Sequence, residues 1–281
     1  MGLAVPFDHY DGMLKFAADT SDKTILQSNQ SLQKIADYII HHPKLGPLYD
    51  TNQLLGDLEN GLYFDSNIPQ GYGLGSSGAL VAALYHQYWK NKKKNVNITE
   101  LKKELAEVEC YFHGKSSGLD PIVCYLAKSV LIKDGEVSEA FDLPEANKTT
   151  LQIFLLNTHI ERKTSPFVNL FLEKCNQQKF MNTVSKSLIP ANNIAIESFM
   201  KRKPAELMNS VKLISQLQFD LLPEFIPAKF KEAWQQGLKH NEYHFKICGA
   251  GGGGFIIGFA KTNTDLSPML GGLDIIELMK F

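Results

Sequence analysis

The segment Pro69-Gln-Gly71-Tyr-Gly73-Leu74-Gly75-Ser76-Ser77-Gly78 constrains this chain more than any other, because it runs without a break into an apolar stretch ending at Trp89. From Ser76 onward, Leu80, Leu84 and Tyr88 fall on one face of a helix and Val81, Tyr85 and Trp89 on another. A helix that is hydrophobic nearly all round is predicted to be buried. Its glycine-rich approach lets backbone come close to a ligand without Cβ clash, successive amides form a concave nest, and the helix start carries about half a positive charge. Together these features predict an anion site, and a phosphate chain satisfies all of them. Ser76 or Ser77 is also placed to cap the helix, and a hydroxyl there equally suits a ligand of the magnesium that accompanies a nucleotide.

Any such site has to be local. Lys and Arg number 29 against 30 Asp and Glu in 281 residues, a net charge of -1, so no global basic field steers the chain onto nucleic acid or anionic lipid. At 44% hydrophobic and 21% charged, the composition is that of an ordinary globular protein, long enough for two domains. Cys110, Cys124, Cys175 and Cys248 show no paired spacing, which fits a reducing compartment. No stretch approaches the roughly 20 apolar residues of a membrane span, and no signal peptide opens the sequence. A cytoplasmic protein is expected. Cys110 and His113 make one C-x-x-H without a second half, a weak zinc signal.

The coarse pattern is α+β. Helical spacing appears around Leu32 to Ile40, over Leu101, Leu105, Val108 and Phe112 with Gly114 as a stop, and at Leu207, Val211, Ile214, Leu217 and Leu221. Asp134-Gly135 between two β-prone runs predicts a hairpin. Leu151 to Leu156 reads as a buried strand, and Tyr243 to Ile247, a glycine run and Phe255 to Ala260 read as strand, loop, strand. The domain junction is placed at 147/148, giving domains 1–147 and 148–281. Lys90 to Lys94 reads as a solvated helix exit.

Known phosphate loops do not account for residues 69–78. A Walker loop needs Gly-Lys-Ser or Gly-Lys-Thr, which the sequence lacks. Gly73, Gly75 and Gly78 satisfy G-x-G-x-x-G, but Pro69 interrupts the approach and Lys92 to Thr99 is polar, where a dinucleotide fold needs apolar strands. The protein-kinase signatures are missing. The second glycine run, Gly249-Ala250-Gly251-Gly-Gly-Gly254, lies between strand-like segments and reads as a tight loop over a ligand rather than a linker. Between the two runs come Glu109 and, eleven residues on, Asp120. Two acids so placed can divide a cation and a substrate hydroxyl between them. Taken alone, the pair reads first as a solvated Glu109 and a turn-capping Asp120.

PQGYGLGSSGAL resembles the second motif of the GHMP small-molecule kinases, and KICGAGGGG resembles their third. Within that superfamily, HGKSSGLDP, from His113, is similar to the H-G-x-P-S-G-x-D segment of mevalonate kinases, and Thr158-x-x-x-Arg162-x-Thr164 to their T-x-x-x-R-x-T. The resemblance covers roughly residues 3 to 260. It implies a two-domain α+β GHMP kinase fold, an N-terminal domain like ribosomal protein S5 and a ferredoxin-like C-terminal one, with ATP between them. It further implies phosphate binding by Gly71, Gly73, Leu74, Gly75, Ser76, Ser77 and Gly78, and Mg2+ on Ser77 and Glu109. Asp120 is implied as the residue that orients or deprotonates the acceptor hydroxyl, with Arg162 at the transferred phosphate. Thr164, Gly249, Ala250 and Gly251 would line the substrate site. The implied partner is a small molecule, most simply mevalonate, with neither nucleic acid nor membrane; a homodimer is compatible with it.

Two departures qualify the implication. Ser116 stands where the family usually has proline, a change expected to affect loop stiffness more than chemistry. GLAVPF, residues 2 to 7, resembles the segment that follows the family's first motif, a strand with a lysine and then Gly-Glu-His/Tyr-Ser/Ala, and that motif does not occur in this sequence. Lys15 and Lys23 come after GLAVPF and do not replace the lysine. Its loss would cost at least about 10² to 10³ in rate, by analogy with removal of one preorganised donor, and would expose a sheet edge. The expectation is a sequence shortened at its start, from an intact mevalonate-type kinase. Competing expectations are a GHMP-fold binder without turnover, or another superfamily activity such as phosphomevalonate kinase or a diphosphomevalonate decarboxylase.

Overall fold

The computed structural model describes residues 1–7, 9–18, 21–90, 97–142 and 149–281. The chain forms two compact units, one of residues 3–69 and 74–142 and one of residues 1–2, 70–73 and 143–281. They are called the N-terminal and C-terminal units below. The junction expected at 147/148 and most of the Lys90 to Lys94 tract lie outside the described residues.

In the N-terminal unit the order is β1 (Gly2–Ala4), β2 (Gly12–Phe16), α1 (Lys23–His41), α2 (Thr51–Glu59), β3 (Leu62–Ser66), α3 (Ser76–Tyr88), α4 (Ile98–His113), α5 (Leu119–Leu126), β4 (Ser129–Lys133) and β5 (Glu136–Phe141). Local chemistry explains most boundaries. Asp22 accepts from the amides of Thr24 and Ile25 to start α1, and Asn97 does the same for α4 through Thr99. Gly114, at φ 69°, ends α4. Asp134 and Gly135 have φ of 51° and 82°, the paired left-handed residues that a two-residue hairpin turn demands, and β4 and β5 pair antiparallel across them.

The core collects Leu32, Ile35 and Ile39 of α1 with Val81, Leu84, Tyr85 and Tyr88 of α3 and Leu101, Leu105 and Val108 of α4. Tyr85 stacks on Trp89, ring centroids 4.6 Å apart. Helix α3 is therefore buried, as its composition predicts, and it is the post against which α4 and α5 are set.

The C-terminal unit contains β6 (Leu151–Asn157), α6 (Thr164–Cys175), α7 (Gln178–Thr183), α8 (Ile189–Met200), α9 (Pro204–Leu221), α10 (Ala228–His240), β7 (Tyr243–Ile247), β8 (Phe255–Lys261), α11 (Ser267–Leu270) and β9 (Asp274–Lys280). Its sheet has the order β7-β8-β6-β9 with every neighbour antiparallel. Gly258 faces Phe154 across the β6–β8 pair, and a Cβ there would run into the Phe154 ring. Phe154 and Phe245 pack on Phe230 and Trp234 of α10. The Trp234 indole N–H donates to the Ser215 carbonyl at 3.2 Å. At the sheet's edge the Ile247 N–H donates to Gln218 Oε1 of α9 at 2.8 Å, which gives this buried edge donor a partner. Among the described residues no helix is long and apolar enough to cross a membrane.

Candidate functional site

In the N-terminal unit the candidate residues converge on the start of α3. Gly75 is its N-cap, at φ 72° in the left-handed region, with no side-chain cap bond. The expected Ser76 or Ser77 cap is thus not the one used. Glycine at Gly75 meets the left-handed requirement directly, and the Ser77 hydroxyl turns elsewhere. Ser77 Oγ donates to Glu109 Oε1 at 3.3 Å and lies 3.2 Å from His113 Nε2.

Glu109, in the last turn of α4, is only 5% exposed, which corrects the expectation of a solvated side chain. Its second oxygen, Oε2, accepts from Ser116 Oγ. Burial raises the Glu109 carboxyl above the ordinary carboxylate range, and the negative charge of Asp120 adds to the rise. The Ser116 hydrogen bond, His113 and the Ser77 hydrogen bond pull the other way. The order of causes is physical: removal from water penalises the anion most, and donors only partly compensate.

Asp120 is the second residue of α5, within a first turn whose dipole favours an acid, rather than a turn cap. Its helix is brought in by two glycines. Gly78 of α3 is buried, and a Cβ on it would lie 2.8 Å from the Asp120 backbone carbon and from Pro121 N. Gly118, the left-handed N-cap of α5, lies against α4, where a Cβ would run into the Lys102 carbonyl oxygen. Gly75 lies against Asp120 as well, with the Asp120 Cβ at 3.2 Å from its would-be Cβ. Two acids, a serine hydroxyl and a helix start are thereby assembled on one side of α3.

The remaining candidates belong to the C-terminal unit. Gly71 and Gly73 have φ of 76° and 73°, and the Gly71 carbonyl accepts from the Arg162 N–H at 2.8 Å. A Cβ on Gly73 or on Gly249 would run into the Arg162 guanidinium, so the two glycine runs meet around this one cation. Thr158, buried at the end of β6, donates through its hydroxyl to the Gly254 carbonyl at 2.7 Å, and the Gly254 N–H donates to the Ile160 carbonyl at 2.8 Å. Gly252 N–H donates to the Phe225 carbonyl at 2.8 Å. The run from Gly249 to Gly254 is thus the tight, pinned loop expected, not a linker. Gly251 packs on Phe225 and Ile247, Ala250 is half-buried, and Thr164 is exposed at the first position of α6.

Residues 43–128 match the family model for the GHMP kinases N terminal domain. The chain has the GHMP kinase fold. A mevalonate kinase of Arabidopsis thaliana is 24% identical over 230 residues, 75% of this chain and 59% of that protein. The chain thus spans less than two thirds of the length of this curated relative. Among solved structures, L. major mevalonate kinase in complex with R-mevalonate superposes at a TM-score of 0.63 with 16% identity, covering 99% of this chain and 89% of that one. Streptococcus pneumoniae phosphomevalonate kinase superposes at 0.54 with 15% identity, over 96% and 88%. These likenesses establish the α+β GHMP architecture, and mevalonate kinases recur among them.

Three residues, two in the N-terminal unit and one in the C-terminal unit, carry structural weight that reading along the chain did not assign. His113 is read along the chain only as part of a motif, yet its ring lies beside Ser77. Thr158 is buried and holds the glycine loop. Ser116 is expected to act through loop stiffness but is bonded to Glu109. For Ser116 a signal exists: a serine two residues before a glycine is a common hydroxyl-to-amide turn, and Gly118 N–H does donate to its Oγ at 2.9 Å.

Proposed function

We propose that this chain is an ATP-dependent kinase of a small-molecule alcohol, with mevalonate as the acceptor. The observation that carries the proposal is the buried Glu109 carboxylate, held beside the Ser77 hydroxyl and repelled by Asp120, at the glycine-capped start of α3. A carboxylate kept out of water next to a second acid is electrostatically unsatisfied, and a cation relieves it.

The donor set fits magnesium. The Ser77 hydroxyl and the Glu109 carboxylate are both hard oxygen donors. Magnesium is commonly held by one or two carboxylates together with substrate phosphates. Ser77 and Glu109 would hold it, and when bound it would neutralise charge developing on the phosphates.

The chain's own contributions follow from charge and position. The amides at Gly75 to Gly78, with the α3 dipole, favour a phosphate chain. Asp120 accepts the proton of the acceptor hydroxyl as that oxygen bonds to the γ-phosphorus and the bond from that phosphorus to the bridging oxygen breaks, its electron pair leaving with ADP, a role worth about 10² to 10⁴ in rate. Within the C-terminal unit, Arg162 is fixed against the backbone of Gly73 and Gly249, a preorganised cation of the kind that phosphoryl transfer uses. Gly249 to Gly251 and Thr164 are assigned to the acceptor.

An ADP-release assay over mevalonate, its phosphate, galactose and homoserine tests the reading. Turnover with mevalonate supports it. Turnover with phosphomevalonate alone moves the assignment to that acceptor, and ATP binding without turnover of any of the four leaves a binder.

A further inference from the structure

We propose that Ser116 is a positioning residue for the cation site: its hydroxyl fixes the Glu109 carboxylate with one oxygen facing Ser77, and links that carboxylate to the turn that delivers Asp120. This rests on the functional reading above, in which Glu109 and Ser77 hold the metal.

The bonding pattern of one hydroxyl carries the argument. Ser116 Oγ donates its only hydrogen to Glu109 Oε2 and accepts the Gly118 N–H at 2.9 Å. Gly118 is the N-cap of α5, two residues before Asp120. With Oε2 occupied, the oxygen that accepts from Ser77 is Oε1, at 3.3 Å. A glutamate has three side-chain torsions to order, and burial makes an unpartnered oxygen expensive. A single serine therefore selects which oxygen is available and restrains the side chain that carries it.

Proline, the residue usual at this position in the resembling family, has neither hydroxyl nor N–H and can make neither bond. Ser116 makes both, and one of them reaches the candidate metal ligand directly.

Groups that hydrogen-bond a metal ligand from behind set its orientation, and their loss typically costs about 10- to 100-fold in metal affinity or activity. The test is Mn2+ titration of the ADP-bound protein, with free Mn2+ read by electron paramagnetic resonance. Ser116→Ala is expected to weaken Mn2+ by about 10- to 100-fold, whereas Ser116→Thr, which keeps the hydroxyl, stays within about threefold of the parent. ADP affinity measured in EDTA should be the same in all three. In turnover, the Mg2+ concentration for half-maximal rate should rise in Ser116→Ala while the rate at saturating Mg2+ falls far less.

Should Ser116→Ala fail to fold by circular dichroism, Ser116→Cys, a near-isostere with a weak donor, takes its place with weakening of about tenfold or more expected. Parent-like Mn2+ affinity in a folded Ser116→Ala or Ser116→Cys protein overturns the positioning role and leaves the kinase reading standing. An unmutated protein that binds no Mn2+ with ADP overturns both.

Discussion

Gly78→Ala tests whether the close approach of α3 and α5 sets the position of Asp120. The new methyl carbon would start 2.8 Å from the Asp120 backbone carbon, the Asp120 Cβ and Pro121 N, and ordinary contact begins near 3.4 Å. The obstacles are mainly backbone at the first turn of α5, so relief requires the helices to part by about 0.6 Å, taking Asp120 along. Alanine gains up to about 1 kcal/mol over glycine in a helix, while overpacking costs about 1–3 kcal/mol. The net is a loss of roughly 0–3 kcal/mol, at about 2–4 °C in Tm per kcal/mol for a domain-sized unit. A misplacement of about 1 Å at reacting groups costs on the order of 10²-fold, so turnover should drop by roughly 10- to 100-fold, more than stability suggests. Gly56→Ala is the matched control, because Gly56 lies inside α2 with nothing within 4 Å of its would-be Cβ. It should gain about 0.5–1 kcal/mol and keep full turnover. Differential scanning fluorimetry and the ADP-release assay read both arms. If Gly78→Ala is as stable and as active as the parent, the packing argument is wrong.

Further outcomes follow from the acids and from a buried histidine. Asp120→Asn should lower turnover by at least about 10²-fold while nucleotide affinity is nearly unchanged; normal turnover would make Asp120 a structural residue only. Because the metal-free Glu109 carboxyl is raised above its ordinary range, the unfolded chain ionises first as pH increases, and stability is lost as pH climbs through the carboxylate range toward the folded value. Glu109→Gln should abolish that loss in denaturant melts without metal, and an unchanged pH profile would count against the burial argument. His244, buried on β7, behaves with the opposite sign: burial, then the charge of Lys212, brings its imidazole down from 6.5 to about 4. Stability is therefore full above about 6.5 and declines as pH is lowered toward about 4, a decline that His244→Phe should reduce.

Much of the local structure was legible from residue order. Paired left-handed residues at Asp134-Gly135, a glycine stop at Gly114 and apolar periodicity through α3, α4 and α9 act within a few positions of themselves. The glycine runs were legible too, since only glycine tolerates φ near +70° at Gly73 and Gly75 without strain. What lay hidden was burial of charge. Helical spacing does not mark Glu109 as more buried than Glu104 or Glu107 on the same helix, and it becomes so as Ser77, Ser116 and Asp120 close around it.

Order along the chain thus determined where helices start, where turns close and which backbone is free to approach a ligand, since those depend on torsions and short-range spacing. Tertiary packing alone decided that Gly75 rather than a serine caps α3, that Ser116 bonds an acid instead of stiffening a loop, and that Arg162 sits between Gly73 and Gly249. The reason is that dielectric environment and hydrogen-bond partnership are set by neighbours in space, and residues as far apart in the chain as Ser77 and Glu109, or Gly73 and Arg162, become neighbours only after the helices and strands have packed.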